Sequence, residues 1–159
     1  MQCSLHPVPG TIMRQLGGRA AIPRGDAMFG FGRKNKDAEL ISAMCDADAA
    51  AVARLIPAQD FVMISDSDAP AGGRSPLILE VDGFPAVAAF TSQENAAAFG
   101  QEFPDAAGPD GSLDVFVVGG GNFVKFLPEG VGAVINPAGE RVGAVLAPDV
   151  VQELKRLLV

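Results

Sequence analysis

The fold is decided by one stretch, Leu77-Ile78-Leu79-Glu80-Val81-Asp82-Gly83-Phe84-Pro85-Ala86-Val87-Ala88-Ala89-Phe90. Two apolar runs flank Asp82-Gly83, and this dipeptide predicts a β-hairpin because a type I′ turn needs positive φ at both central residues. In such a hairpin Val81 and Phe84 form a hydrogen-bonded pair, so the backbone nitrogen of Pro85 faces away from the partner strand. Pro85 therefore fits this strand only if no third strand needs an N–H donor there.

A helix is predicted directly after the hairpin. Thr91-Ser92-Gln93-Glu94 places a hydroxyl before Gln and Glu, which is typical of a helix N-terminus. The Ala-rich segment up to Phe99 continues this helix. The hydroxyls of Thr91 and Ser92 are candidates for a functional role, but helix capping is the simpler explanation for both.

The other segments predict a single α+β domain. Helical periodicity covers residues 37–56, with a break at 46–48 and an end at Pro57. Strands are predicted at residues 61–64, 114–118, 131–135 and 142–146, the last two antiparallel, and a final helix begins at Pro148. Its apolar stripe consists of Val150, Val151, Leu154, Leu157 and Leu158. We expect a mostly antiparallel sheet of about five to seven strands, with helices covering one face.

Charge is divided unevenly along the chain. Residues 1–36 contain six basic residues and one acidic residue, whereas residues 37–159 contain 18 acidic and 6 basic residues. An acidic body repels phosphate backbones and argues against a nucleic-acid partner. No apolar run reaches the roughly 18 residues that cross a bilayer, so no membrane insertion is expected. Residues 1–36 are interpreted as a disordered basic lead, with Met28 as a possible natural start, and residues 37–159 as the domain.

The side chains available for catalysis are few. The only histidine is His6, so no Ser-His-Asp or Cys-His arrangement can form within residues 37–159. The same count leaves no Cys/His zinc site, and we expect no metal and no cofactor. The two cysteines, Cys3 and Cys45, are not expected to form a disulfide framework, which places the protein in a reducing, cytoplasmic compartment. Cys45 is interpreted as a small core residue.

One loop is a candidate ligand site. Gly119, Gly120, Gly121 and Asn122 lie between a predicted strand and a short helix that Asn122 could cap, and backbone N–H groups there could hold a phosphate, with Lys125 close by. The loop has neither the Walker spacing nor the dinucleotide fingerprint, and a plain flexible turn is the alternative. Asp66 and Asp68 could bind a hard cation, but a solvated acidic loop explains them more simply.

Four short motifs occur in an order that resembles the SseB N-terminal domain family, which is named for enhanced serine sensitivity in bacteria. They are Glu80-Val81-Asp82-Gly83, Phe90-Thr91-Ser92, Leu127-Pro128-Glu129-Gly130 and Val134-Ile135-Asn136-Pro137, followed by a terminal helix. The resemblance covers about residues 37–158 and marks Glu80, Phe90, Thr91, Ser92, Asn136 and Pro137 as motif positions. From the residues alone, Asn136-Pro137 is first a turn in which Asn136 bonds its own backbone.

The resemblance implies no reaction or ligand. Together with the missing catalytic side chains, it favours a non-enzymatic cytoplasmic module that interacts with, or regulates, an unknown protein partner. The alternative is a small-ligand or phosphate-binding protein or enzyme that uses Gly119–Asn122 and Lys125. The sequence does not determine the oligomeric state.

Overall fold

A computed structural model of the chain describes residues 31–66, 74–107, 110–137 and 143–159. The helices in this part are α1 (Phe31–Cys45), α2 (Ala49–Leu55), α3 (Gln93–Glu102), α4 (Gly120–Phe126) and α5 (Pro148–Leu157). The strands are β1 (Asp60–Ile64), β2 (Ile78–Val81), β3 (Phe84–Phe90), β4 (Val115–Gly119), β5 (Gly132–Ile135) and β6 (Ala144–Leu146). Short 3₁₀ turns occupy Ile56–Ala58 and Pro104–Ala106. The predicted lead up to residue 30 and Asp68 lie outside the described residues.

Strand β3 is the centre of the sheet. It pairs antiparallel with β2 through the predicted turn, in which Asp82 has φ 50° and Gly83 has φ 83°. These two positive angles confirm the type I′ turn. The far half of the same edge pairs antiparallel with β1, in the register Met63↔Ala89, so β1 and β2 lie end to end along β3. The other edge of β3 pairs parallel with β5.

The complete strand order is β4-β1-β3-β5-β6, with β2 paired to β3. Only the β3–β5 pairing is parallel among these strands. The prediction of an α+β domain with a mostly antiparallel, mixed sheet is confirmed.

Pro85 satisfies the condition that the hairpin places on it. The ladder between β3 and β5 begins at Ala86↔Gly132, one residue beyond Pro85. No ladder partner therefore requires an N–H from Pro85. Gly132 is itself needed here, because a Cβ at this position would come within 2.6 Å of the Phe84 ring.

Helices cover both faces of the sheet, so the expectation of a single covered face is wrong. One core cluster joins Phe61, Met63, Ala89 and Ile135 of the sheet to α1, α2, α4 and α5. The opposite cluster joins the alternate residues, among them Phe90, to Ala96 and Phe99 of α3. The physical reason is visible in β3, where every residue from Ala86 to Phe90 is buried, as in a strand covered on both sides.

The first two helices are separated where the sequence predicts a break. Ala47 has φ 51°, and the Asp48 side chain accepts a hydrogen bond from the Ala51 N–H at 3.0 Å, which caps α2. Helix α1 begins at Phe31, upstream of the predicted start at residue 37.

The last helix begins at Pro148, as predicted, and packs with part of its apolar stripe. Val151 and Leu154 are 0% exposed, and Val150 and Leu158 pack against the same cluster. Leu157 is 47% exposed, so its assignment to the buried stripe is wrong. None of the helices in the described part has the length and apolar content that crossing a bilayer requires.

Candidate functional site

Two of the motifs meet at one end of the sheet. Because β3 and β5 are parallel and adjacent, the residues that follow them, Thr91 and Asn136, emerge side by side. The Thr91 N–H donates to Asn136 Oδ1 at 2.9 Å, and Asn136 Nδ2 donates to Thr91 Oγ1 at 3.1 Å. Asn95 Nδ2, from the first turn of α3, donates to the same Thr91 Oγ1 at 3.2 Å. We call Thr91, Ser92, Asn95 and Asn136 the sheet-end junction.

The backbone at the sheet-end junction also has a defined conformation and defined hydrogen bonds. Asn136 has φ 51°, a left-handed conformation that asparagine adopts more readily than most residues, and its N–H donates to the Ala89 carbonyl at 2.8 Å. Ser92 Oγ accepts from the Asn95 N–H at 3.1 Å, which confirms Ser92 as the N-cap of α3. Pro137, the next residue, is buried. The junction thus fixes the exit of β5 and the start of α3 together.

The junction joins β3, β5 and α3 through hydrogen bonds of its side chains and backbone. Its side chains are amides and hydroxyls that bond one another, and within the described part of the chain none of their hydrogen bonds goes to a carboxylate or a basic group that would activate a nucleophile. Asn136 bonds Thr91 with its side chain, 45 residues away, so the interpretation of a purely local turn is incomplete. Among the described residues, every buried side-chain nitrogen and oxygen has a hydrogen-bond partner.

The other two motif positions differ from each other. Phe90 is 0% exposed and its ring centroid lies 5.4 Å from that of Phe99, so it is a core residue. Glu80 lies opposite Pro85 in the hairpin, as predicted, and is exposed to solvent. Glu80 is therefore the motif side chain that is exposed and has no packing role in the core.

The glycine loop begins α4, but Asn122 does not cap it. The N-cap position is Gly119, and Asn122 is an exposed residue inside the helix, so that prediction is wrong. The Gly120 N–H donates to the Gln59 carbonyl at 2.7 Å. A Cβ on Gly120 would overlap the Ile56 carbonyl, which explains glycine at this position by close backbone packing.

The remaining ligand candidate, Lys125, is exposed and lies in the last turn of α4, whereas Gly119 is the N-cap and Gly120, Gly121 and Asn122 form the first turn. The helix has seven residues, so Lys125 and the loop are at opposite ends of it. Gly119 faces Asp60 of β1, and Phe90 faces Val62 of the same strand. The glycine loop and the sheet-end junction thus lie at the same end of the sheet, with β1 between them. Phosphate binding at the loop stays the alternative prediction.

Lys155 is a structural residue that the sequence did not single out. Its Nζ, on α5, donates a hydrogen bond to the carbonyl of Leu127, the C-cap residue of α4. Leu127 is 1% exposed, and Gly130 turns the chain with φ 76°. A basic residue late in a helix is a common partner for free helix carbonyls, but the sequence does not reveal that the carbonyl belongs to another helix.

Cys45 packs half-buried against the helical core cluster, and its sulfur lies 3.4 Å from the Gly143 carbonyl oxygen. Cys45 therefore lies beside the core cluster, whereas the sequence interpretation makes it a small core residue. Cys45 is disulfide-bonded, contrary to the expectation drawn from the cysteine count, and Cys3 lies outside the described residues. The described part contains no group of three or more His, Cys, Asp or Glu side chains that could hold a metal ion.

The motifs, their order and the fold around them agree with a comparison against known families. The family described as SseB protein N-terminal domain matches residues 38–153. The match covers most of the chain, so the chain belongs to this family. No curated protein and no solved structure matches it.

Proposed function

We propose that this SseB-type domain is a non-enzymatic module that recognises a protein partner by surface contact. The proposal rests on one observation, which is where the motif side chains lie and which groups they bond. Thr91, Ser92 and Asn136 bond one another or α3, and Phe90 is a core residue. Apart from the exposed Glu80, the motif side chains therefore bond or pack within the domain, which leaves function to the surface.

Composition supports the same proposal. Residues 37–159 contain no histidine, and the sheet-end junction has no base to activate Thr91 or Ser92. The excess of 18 acidic over 6 basic residues in that region favours a partner that presents basic groups.

Reconstitution with purified components tests the proposal. The full chain is immobilised, bound proteins are identified, and each candidate is purified and titrated against the chain by calorimetry. We expect at least one candidate to bind saturably, with an affinity that weakens as ionic strength rises because opposite charges are screened. The contrary result is turnover of a substrate by the purified chain in a broad activity screen, with activity abolished by Glu80→Gln or Ser92→Ala.

The cytoplasmic location stays a prediction. A disulfide at Cys45 persists in an oxidising compartment and is reduced in the cytosol. Alkylation of free thiols in intact cells, followed by fractionation and non-reducing electrophoresis, measures both the compartment and the state of Cys45. Recovery of the chain in the cytosolic fraction with Cys45 alkylated would agree with the prediction.

A further inference from the structure

The outer side of β4 presents unpaired backbone groups. No strand in the described residues pairs with β4 except β1. The Ser65 N–H donates to the Asp114 carbonyl at 2.8 Å, and the Gly120 N–H donates to the Gln59 carbonyl at 2.7 Å. Hydrogen-bonded pairs alternate along an antiparallel ladder, so residues 114, 116, 118 and 120 point their backbone groups at β1. Val115, Val117 and Gly119 therefore direct their N–H and C=O groups away from the sheet.

The sequence of this edge lacks the proline and charged residues that usually protect an edge strand. Residues 115–119 read Val-Phe-Val-Val-Gly, without proline and without charge. Val117, at the centre of the strand, is 58% exposed. The Arg74 guanidinium lies 5.7 Å from the centroid of the Phe116 ring, over one face of the strand. An edge of this composition is suited to accept another strand.

Charge indicates what kind of strand would bind. Asp114 precedes β4, and Asp60 faces Gly119 at the opposite end, so a carboxylate stands near each end of the edge. The chain as a whole has a formal net charge of −7, which opposes a second copy of itself and favours a basic segment.

We propose that the outer edge of β4 binds an extended segment of a partner protein as an added strand, with apolar residues beside Val117 and Lys or Arg near both ends. Backbone hydrogen bonds to Val115, Val117 and Gly119 supply the affinity, and Asp60 and Asp114 select basic flanks. This inference rests on the proposed function, because it names the surface and the chemistry of the partner.

Fluorescence anisotropy with a defined peptide tests the inference. The probe is a labelled nonapeptide with a central Val-Thr-Val-Thr-Val segment and two lysines at each end, titrated with the full chain. We expect saturable binding that weakens at least tenfold in Val117→Lys, because the lysine adds a positive charge against the peptide. Val117→Thr is the matched control and keeps the affinity within about twofold, since threonine preserves the β-branched strand residue.

Two peptide controls separate backbone pairing from simple charge attraction. N-methylation of the central valine removes its N–H, and we expect binding to be lost; replacement of the lysines by glutamates has the same expected effect. Equal binding of the N-methylated and unmodified probes overturns the inference, as does unchanged affinity in Val117→Lys. A second copy of the chain is the remaining candidate for the β4 edge, and sedimentation at high concentration tests for it. A dimer that dissociates in Val117→Lys would assign the edge to a second copy and would also overturn the inference.

The inference and the proposed function can fail separately. If a partner identified by reconstitution binds Val117→Lys as tightly as the wild-type chain, the module function stands and the β4 edge is excluded. If neither a partner nor the probe binds, both fail.

Discussion

Asn136 combines an unusual backbone angle with a long-range side-chain contact. Its φ of 51° suits glycine or asparagine, and its amide bonds Thr91 at 2.9 and 3.1 Å. These two roles can be separated by substitution, because glycine keeps the angle without the amide and alanine keeps neither.

We expect Asn136→Ala to lower the free energy of unfolding by about 2–4 kcal/mol, from lost hydrogen bonds and a strained angle together. Asn136→Gly should lose less, about 1–3 kcal/mol, because only the hydrogen bonds are removed. Urea unfolding of the three proteins measures the difference. Equal stability of Asn136→Ala and the wild-type chain would show that the sheet-end junction does not hold the fold.

The glycine loop offers a second matched pair of substitutions. A Cβ on Gly120 overlaps the Ile56 carbonyl, whereas a Cβ on Gly121 meets nothing within 4 Å. We expect Gly120→Ala to destabilise the chain by more than about 2 kcal/mol through backbone displacement. Gly121→Ala should be neutral or stabilising by up to about 1 kcal/mol, since alanine is the better helix former. Thermal melts of both variants provide the measurement, and a tolerant Gly120 would contradict the packing described here.

For single residues, the sequence predicts turns and hydrogen bonds between neighbours in the chain. It misses hydrogen bonds between residues that are far apart in the chain. The Ser92 cap and the Asp82-Gly83 turn follow from neighbouring residues, and both are confirmed. The Thr91–Asn136 bond spans 45 residues and the Lys155–Leu127 bond spans 28. Such contacts depend on which strands and helices become neighbours, and no local pattern contains that information.

At the scale of elements, the hairpin and the final helix are predicted well. The parallel β3–β5 pairing and the position of α3 on the opposite face are not, since both depend on how the chain crosses the sheet. The unbroken apolar run at residues 86–90 was the available signal, because a strand with one solvated face would alternate.

Helix α5 allows a direct test of the element's packing. Leu154 is 0% exposed, and Leu157, one turn further, is 47% exposed. We expect Leu154→Ala to cost about 2–5 kcal/mol of unfolding free energy, because it leaves a cavity in the core. Leu157→Ala should stay within about 0.5 kcal/mol of the wild-type chain. Equal losses in urea unfolding would mean that α5 does not pack as described.

At the scale of the whole molecule, the acidic surface and the proposed contact function predict that phosphate compounds do not bind. We expect no change in melting temperature across a panel of inorganic phosphate, nucleotides and phosphorylated metabolites. A ligand present at a hundred times its dissociation constant would add about 2.7 kcal/mol, or about 5–10 °C for a chain of this size, so the assay is sensitive enough.

The outcome that would favour the alternative is equally specific. Saturable stabilisation by one compound, lost in Lys125→Ala and retained in Lys155→Gln, would locate a ligand near α4. The chain would then bind a phosphorylated ligand at the glycine loop in addition to, or in place of, a protein partner.

The central position of β3 determines how cooperatively the domain is expected to unfold. One strand of seven residues joins β1, β2 and β5, and it separates the two core clusters while contributing side chains to each. Neither layer of helices can detach and keep its half of the sheet intact once this strand is displaced. We therefore expect the domain to unfold as a single cooperative unit, and neither half of it to be stable as a separate fragment.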